Sequence, residues 1–126
     1  MITTKTKRIL IIDDENDIRE ATQVCLEVTG DWEVFTASSG SEGLVTAAAE
    51  LPDAILLDVM MPGMDGLTTF QELQANPITQ HIPVILLTAK AQSSEQRRFT
   101  QLGVAAVIIK PYDPFSIADQ VSQALE

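Results

Sequence analysis

Four carboxylates fall within five residues at Asp13, Asp14, Glu15 and Asp17, directly after the apolar run Ile9–Ile12. At that density they repel one another, and a fold keeps them only in water, at a helix start or around a cation. Asp58, Thr88 and Lys110 each close a further apolar run, DAILLD, PVILLT and AVIIK. Each has an ordinary reading by itself. Asp13 or Asp14 could cap a helix, Asp58 could start a turn, Thr88 is a common strand end, and Lys110 could be a solvated end residue. Brought to one rim, Asp13, Asp14 and Asp58 instead need positive charge, of which Lys110 supplies one unit and a divalent ion two more. With oxygen donors, a single cysteine and one distant histidine (His81), that ion is magnesium rather than zinc. Asp13 and Asp14 are then expected to bind or orient Mg2+. Glu15 and Asp17 read as residues of the first helical turn, where the helix dipole favours negative charge.

Such a rim needs elements that deliver its residues to one side of a fold. The chain alternates short apolar runs with longer amphipathic segments. The runs are Arg8–Ile12, Trp32–Ala37, Asp53–Asp58, Pro83–Thr88 and Ala106–Lys110. Several are apolar at consecutive positions, as in strands covered on both faces. Between them, helices are predicted from about Asn16 to Thr29 with Gly30 as the stop. Others follow Ser38-Ser39, carrying Leu44, Val45 and Ala47–Ala49, and run from near Asp65 to Asn76-Pro77. The fourth runs from Ser93 or Ser94 to Gly103, with Phe99 and Leu102 inward. The last starts at Asp113-Pro114, with Ile117, Val121 and Leu125 on one face. Five strands alternating with five helices predict a parallel α/β sheet with helices on both faces. Ligands of such sheets bind beyond the carboxyl ends of the strands, where four of the five runs end in a charged or hydroxyl group.

Composition narrows the function classes. The 126 residues suit one domain with a real core, and 45% are hydrophobic. A net charge of -10 with eight Lys and Arg argues against binding nucleic-acid backbones or anionic membranes, and suits cations or basic partners. Cys25 excludes an internal disulfide and, among Ile18, Ala21, Val24, Leu26 and Val28, reads as a small buried packing residue. No apolar run approaches the roughly 20 residues of a membrane span, and the start MITTKTKR lacks a signal-peptide core, so a cytoplasmic location is expected.

Four pieces in order, each closing a predicted strand, resemble the receiver domains of two-component response regulators. They are DD at Asp13-Asp14, LLDVMMPGMDG from Leu56 to Gly66, LTA from Leu87 to Ala89, and KP at Lys110-Pro111. The resemblance covers about Lys7 to Leu125 and implies a flavodoxin-like, doubly wound five-stranded sheet of order 2-1-3-4-5. It treats residues 1–126 as a single receiver domain. It implies that Asp58 is the phosphoacceptor, taking a phosphoryl group from a sensor histidine kinase or phosphotransfer protein. Asp14 is similar to the residue that binds Mg2+ directly, and Asp13 to its neighbour acting through a metal-bound water. Met60 matches the position whose backbone carbonyl completes the protein ligands. Thr88 matches the hydroxyl that bonds a phosphoryl oxygen. Lys110 matches the lysine that pairs with the carboxylate and later the phosphate, and its bond to Pro111 is cis in the family. Pro62, Gly63 and Gly66 read as formers of the loop after Asp58.

The chain departs from this pattern at Val107, where the family usually has an aromatic switch residue. A valine has no ring and few rotamers, so it reads either as a packing substitution or as altered coupling between Thr88 and the output face. Met60 and Lys90 occupy positions that tune dephosphorylation in the family. Met60 cannot align a water by hydrogen bonding, which predicts a phosphoryl lifetime that is not short. The chain stops where a fifth helix would end, which fits a stand-alone receiver or the receiver of a larger protein. Its output, to a downstream protein or an output domain, would use the face of the fourth helix, fifth strand and fifth helix, which is also the expected homodimer surface.

Three other readings compete. A haloacid-dehalogenase-type phosphatase would use the same Asp, Mg2+, Thr and Lys, but it wants a second Asp where Met60 stands and room for a cap. A receiver-like module that binds partners without phosphorylation would not need the full set Asp13, Asp14, Asp58, Thr88 and Lys110. A flavodoxin-like cofactor protein would not place carboxylates against a flavin phosphate. The reading is therefore of a signalling phosphoacceptor and not an enzyme, apart from self-phosphotransfer and autodephosphorylation.

Overall fold

Fifteen of the 24 strand residues are Ile, Leu or Val, and this is what lets the strands lie between two helical layers. The computed structural model describes residues 7–29, 32–89 and 92–125. Five strands, β1 (Arg8–Ile12), β2 (Glu33–Ala37), β3 (Ala54–Asp58), β4 (Val84–Thr88) and β5 (Ala106–Ile109), form one parallel sheet of order β2-β1-β3-β4-β5. The flavodoxin-like order implied by the resemblance is thus present. Each strand lies within one residue of its predicted start and end.

Alternate residues of the strands feed two cores. Leu10, Ile12, Ile55, Leu57 and Leu86 face one way, against Ala47 of α2 (Gly40–Glu50), Phe70 and Leu73 of α3 (Gly66–Ala75), and Phe99 of α4 (Ser93–Gln101). Ile9, Ile11, Leu56, Ile85 and Leu87 face the other way, against Leu26 of α1 (Asn16–Thr29) and Ile117 and Val121 of α5 (Ile117–Ala124). Each such side chain, fully buried, contributes about 1.5–3 kcal/mol against unfolding. The period-two alternation is invisible as polarity because both faces are apolar.

Local signals explain the helix ends. Ser39 and Asp65 accept hydrogen bonds from the backbone N–H groups of Glu42 and Thr68, capping α2 and α3. Gly103, past the end of α4, has φ +102, a backbone that favours glycine. Gly30 lies outside the described residues.

Some expectations need correction. Leu102 is 45% exposed, because α4 ends at Gln101 and only Phe99 of the expected pair points into the core. On α1 the inward positions are Thr22 and Leu26, with Cys25 half-buried beside them, while Val24 and Val28 face out. Asp113-Pro114 opens a short 3₁₀ turn, Pro114–Ser116, and α5 follows it. Gly66 is not a turn residue in the sense expected. A Cβ there would strike the Asp58 carbonyl oxygen and the Val59 Cα, so this glycine lets the start of α3 close onto the end of β3.

Candidate functional site

The parallel register sets the site. Ile12 pairs with Leu57, so the next residues, Asp13 and Asp58, emerge side by side from neighbouring central strands. Asp13 is fixed by its backbone, whose N–H donates to the Ala37 carbonyl at 3.1 Å. Asp13 and Thr88 are completely buried, and Asp58 is 2% exposed. The backbone N–H of Lys110 donates to the Thr88 carbonyl at 2.7 Å, so residues closing β4 and following β5 are tied together. The Lys110–Pro111 peptide bond is cis.

Lys110 crosses the rim toward the carboxylates. Its Nζ lies 3.0 Å from Asp13 Oδ2, 3.2 Å from Glu15 Oε1 and 3.3 Å from Asp58 Oδ1. Carboxylate oxygens of Asp13, Asp14 and Asp58 lie within 4.8 Å of one another. The structure therefore brings together Asp13, Asp14, Asp58 and Lys110, with Thr88 closing the adjacent strand.

Electrostatics at this cluster are strained. Burial, followed by the neighbouring charge of Asp13, raises the Asp58 carboxyl to about 7, against the pull of Lys110 and the Met60 N–H. For Lys110, burial disfavours the ammonium, but the hydrogen bond and charge of Asp13, with Asp58 and Glu15, outweigh it and raise its pKa. Two buried carboxylate oxygens, Asp14 Oδ1 and Asp58 Oδ2, have no hydrogen-bond partner. Orphaned buried acceptors of this kind are costly unless a cation or water meets them. Three carboxylates offering only oxygen suit a hard divalent ion such as Mg2+.

Two residues of the site were read differently or not at all from sequence. Glu15 precedes α1 rather than lying in its first turn. Its N–H donates to Asp13 Oδ1 at 2.9 Å, and its carboxylate pairs with Lys110. Asp17 does lie in the first turn. Arg19 went unnoticed, yet its Nη1 donates to the Asp13 carbonyl at 2.7 Å and its Nη2 to Asn16 Oδ1 at 2.6 Å. The signal was present as an arginine one turn into a helix that follows an acidic loop. Met60 is 65% exposed and its N–H donates to Asp58 Oδ1 at 3.3 Å. Val107 is partly buried against the core that holds Phe99. Lys90 lies outside the described residues. Beside Lys110, a shallow groove of about 200 Å³ runs between α1 and the segment after β5, lined by Asp17, Ile18, Ala21, Tyr112 and Pro114. No described helix is long and apolar enough to cross a membrane.

Comparison with known proteins agrees with this arrangement. Residues 9–122 match the family described as response regulator receiver domain. The chain is 44% identical over 110 residues to the response regulator PleD of Caulobacter vibrioides, covering 84% of this chain and 23% of PleD. It is 36% identical over 119 residues to the alkaline phosphatase synthesis transcriptional regulatory protein PhoP of Bacillus subtilis, covering 94% and 48%. The chain thus spans 23% and 48% of the length of these two relatives. The solved structure of the chemotaxis protein CheY4 of Vibrio cholerae superimposes with a TM-score of 0.86 at 25% identity, covering 95% of this chain and 99% of that one.

Proposed function

The chain belongs to the response regulator receiver domain family, and from that premise we propose that Asp58 is its phosphoacceptor in two-component signalling. The observation that carries this reading is the convergence of Asp13, Asp14 and Asp58 with the Lys110 ammonium, 3.3 Å from Asp58 Oδ1. Receiver domains are not classical enzymes, and the finer reading is self-phosphotransfer followed by loss of the group to water.

An Asp58 carboxylate oxygen attacks the phosphorus of a phosphohistidine on a sensor kinase or phosphotransfer protein. The new P–O bond forms as the P–N bond breaks, and the electron pair leaves with the imidazole, which takes a proton from solvent. Mg2+, held by Asp13, Asp14, Asp58 and the Met60 carbonyl, would supply positive charge against the phosphoryl oxygens. Lys110 neutralises a further oxygen from its position across the rim, and the Thr88 hydroxyl donates to another. The tie between Lys110 N–H and the Thr88 carbonyl keeps these two groups in register. Burial of Asp58 excludes competing water from the acceptor oxygen.

In this reading residues 1–126 act as one cytoplasmic receiver unit. The α4–β5–α5 face carries the output to a downstream protein or output domain, or pairs with a second copy. Output domains are the expectation where relatives such as PhoP are transcriptional regulatory proteins. Val107 replaces the usual ring, so coupling between Thr88 and that face would pass through packing against the core that holds Phe99 rather than through ring rotation.

Intact-protein mass after incubation with acetyl phosphate and Mg2+, beside Asp58→Asn, tests the reading. The expected result is one added phosphoryl group in the parent alone. Equal labelling of the variant would overturn the assignment of Asp58.

A further inference from the structure

The anchoring of Lys110 carries an inference about Tyr112, which rests on the phosphoacceptor reading of Asp58. Lys110 reaches the carboxylates from just past β5, an edge strand beside β4. Its N–H donates to the Thr88 carbonyl at 2.7 Å. Pro111 then has no N–H to give, and the chain leaves the sheet. Further on, Asp113 caps the 3₁₀ turn, its Oδ1 accepting from the N–H of Phe115 at 2.9 Å. Tyr112 lies between these two points.

Tyr112 ties this segment to α1. Its ring packs, half-buried, against the core that holds Ile9, Ile11 and Ile117. Its hydroxyl shares a 2.7 Å hydrogen bond with Oγ1 of the completely buried Thr22. Burial raises the phenol's pKa, so the hydroxyl keeps its proton, and the charges of Asp13, Lys110 and Asp58 all reach it. A ring held by packing alone can slide, whereas a directional bond fixes one of its atoms. Thr22 stands three residues after Arg19, its neighbour on the helix surface. Arg19 Nη1 holds the Asp13 carbonyl at 2.7 Å. One turn of α1 therefore grips both ends of the 3.0 Å ion pair between Lys110 Nζ and Asp13 Oδ2. Arg19 holds the aspartate side, and Thr22, through Tyr112, holds the lysine side.

When Asp58 takes the phosphoryl group its carboxylate charge is lost, and the Lys110 N–H that faced it passes to a phosphoryl oxygen. The ammonium must already stand within reach of that oxygen, and a backbone anchored on both sides keeps it there. We infer that Tyr112 is a positioning residue, latched through Thr22 to the helix that also holds Asp13, and that this latch sets the place of the Lys110 ammonium for the transfer.

Four variants separate position from stability. Tyr112→Phe and Thr22→Val each remove one hydroxyl and leave the other without its partner, so each should lower the urea midpoint. The double variant removes both, and most of the midpoint should return. Thr22→Ser keeps the hydroxyl and loses a buried methyl, so it should be less stable with the latch intact. Labelling with phosphoramidate at saturating Mg2+ is then followed by intact-protein mass. Both single variants and the double should label roughly three- to tenfold more slowly than the parent, the double at the rate of either single, and Thr22→Ser at the parental rate. The half-saturating Mg2+ concentration should stay where it is, because Asp13 and Asp14 keep their places. A merely structural pair predicts rates that follow the urea midpoint, recovered in the double and slow in Thr22→Ser, and that pattern overturns the latch. Parental labelling of Tyr112→Phe overturns it too, as does a shifted Mg2+ requirement, which would put the defect at the acidic loop. In each of these cases the parent is labelled and the reading of Asp58 stands. A parent that gains no more phosphoryl group than Asp58→Asn overturns that reading, and the latch with it.

Discussion

Both rims of the sheet set a cation among carboxylates, and they differ in nearly everything else. At the amino rim, Arg8 donates from Nη2 to Glu50 Oε2 at 2.9 Å and from Nη1 to the Glu50 carbonyl, with Glu33 Oε1 at 3.8 Å. Its backbone N–H donates to Asp53 Oδ2 at 2.8 Å, and its guanidinium lies 4.8 Å from the centre of the Phe35 ring. At the carboxyl rim, Lys110 meets Asp13, Glu15 and Asp58. Glu33 and Glu50 are half-exposed, whereas Asp13 and Asp58 are buried and leave acceptors without partners nearby. A planar fork matched to hydrated carboxylates makes a staple. A compact ammonium among dehydrated carboxylates makes a site that is uneasy until more positive charge or a phosphoryl group arrives. The contrast teaches that chemistry follows from burial and unmet acceptors, not from the count of charges.

The largest expected effect lies in the acidity of the carboxyl rim. The Asp58 carboxyl is raised from 3.8 to about 7, so the folded chain takes up a proton near neutrality that the unfolded chain takes up only in acid. With metal chelated, this group destabilises the fold fully above about pH 7, and that cost fades as pH falls toward 3.8. Asp58→Asn should remove the dependence and be the more stable protein at pH 8, by a ceiling on the order of 4 kcal/mol. Urea midpoints of both proteins at pH 8 and pH 5 measure it. A parent that fails to gain on the variant at the lower pH would sink the claim.

Removing the cation from each rim tests the contrast directly. Lys110→Met strands two buried carboxylates and should cost about 3 kcal/mol in chelator, with part of the loss recovered as Mg2+ is added. Denaturant melts with and without Mg2+ would show the recovery. A third change probes tightness rather than charge. Gly66→Ala pushes a Cβ onto the end of β3 and should cost about 2 kcal/mol by overpacking while slowing labelling of Asp58. Equal stability and labelling in parent and variant would show that the helix start can back away freely. The smallest effect is expected at the staple. Arg8→Ala should cost about 1 kcal/mol, without Mg2+ dependence and without change in phosphorylation rate. A loss at Arg8 that Mg2+ rescues would erase the distinction between the rims.

The residues at the strand ends were legible because apolar runs stop at them. Asp13, Asp58 and Thr88 each mark where β-branched and aliphatic residues give way to a polar side chain, and parallel strands bring such ends to one side. Lys110 was legible for the same reason, one residue past its strand. Glu15 was not, because its backbone turns on Asp13 before the helix begins, and helical pattern alone cannot show where a side chain leaves a loop. The Arg8 staple was hidden by distance in sequence, since Glu33, Glu50 and Asp53 share no local motif with it. Leu102 illustrates a different limit. Its apolar character suggested burial, but the helix ends a residue earlier and the last turn opens to water.

The ion pair between Lys110 and Asp13 spans 97 residues of chain. During synthesis from the amino end, Asp13, Asp14 and Asp58 emerge well before the lysine that balances them. β5, the last strand and an edge of the sheet, must dock on β4 before that ammonium reaches the rim. If Asp58 is the phosphoacceptor, its competence therefore waits on the docking of β5. On that reading, a chain whose β5 has not yet docked stays silent to its donor.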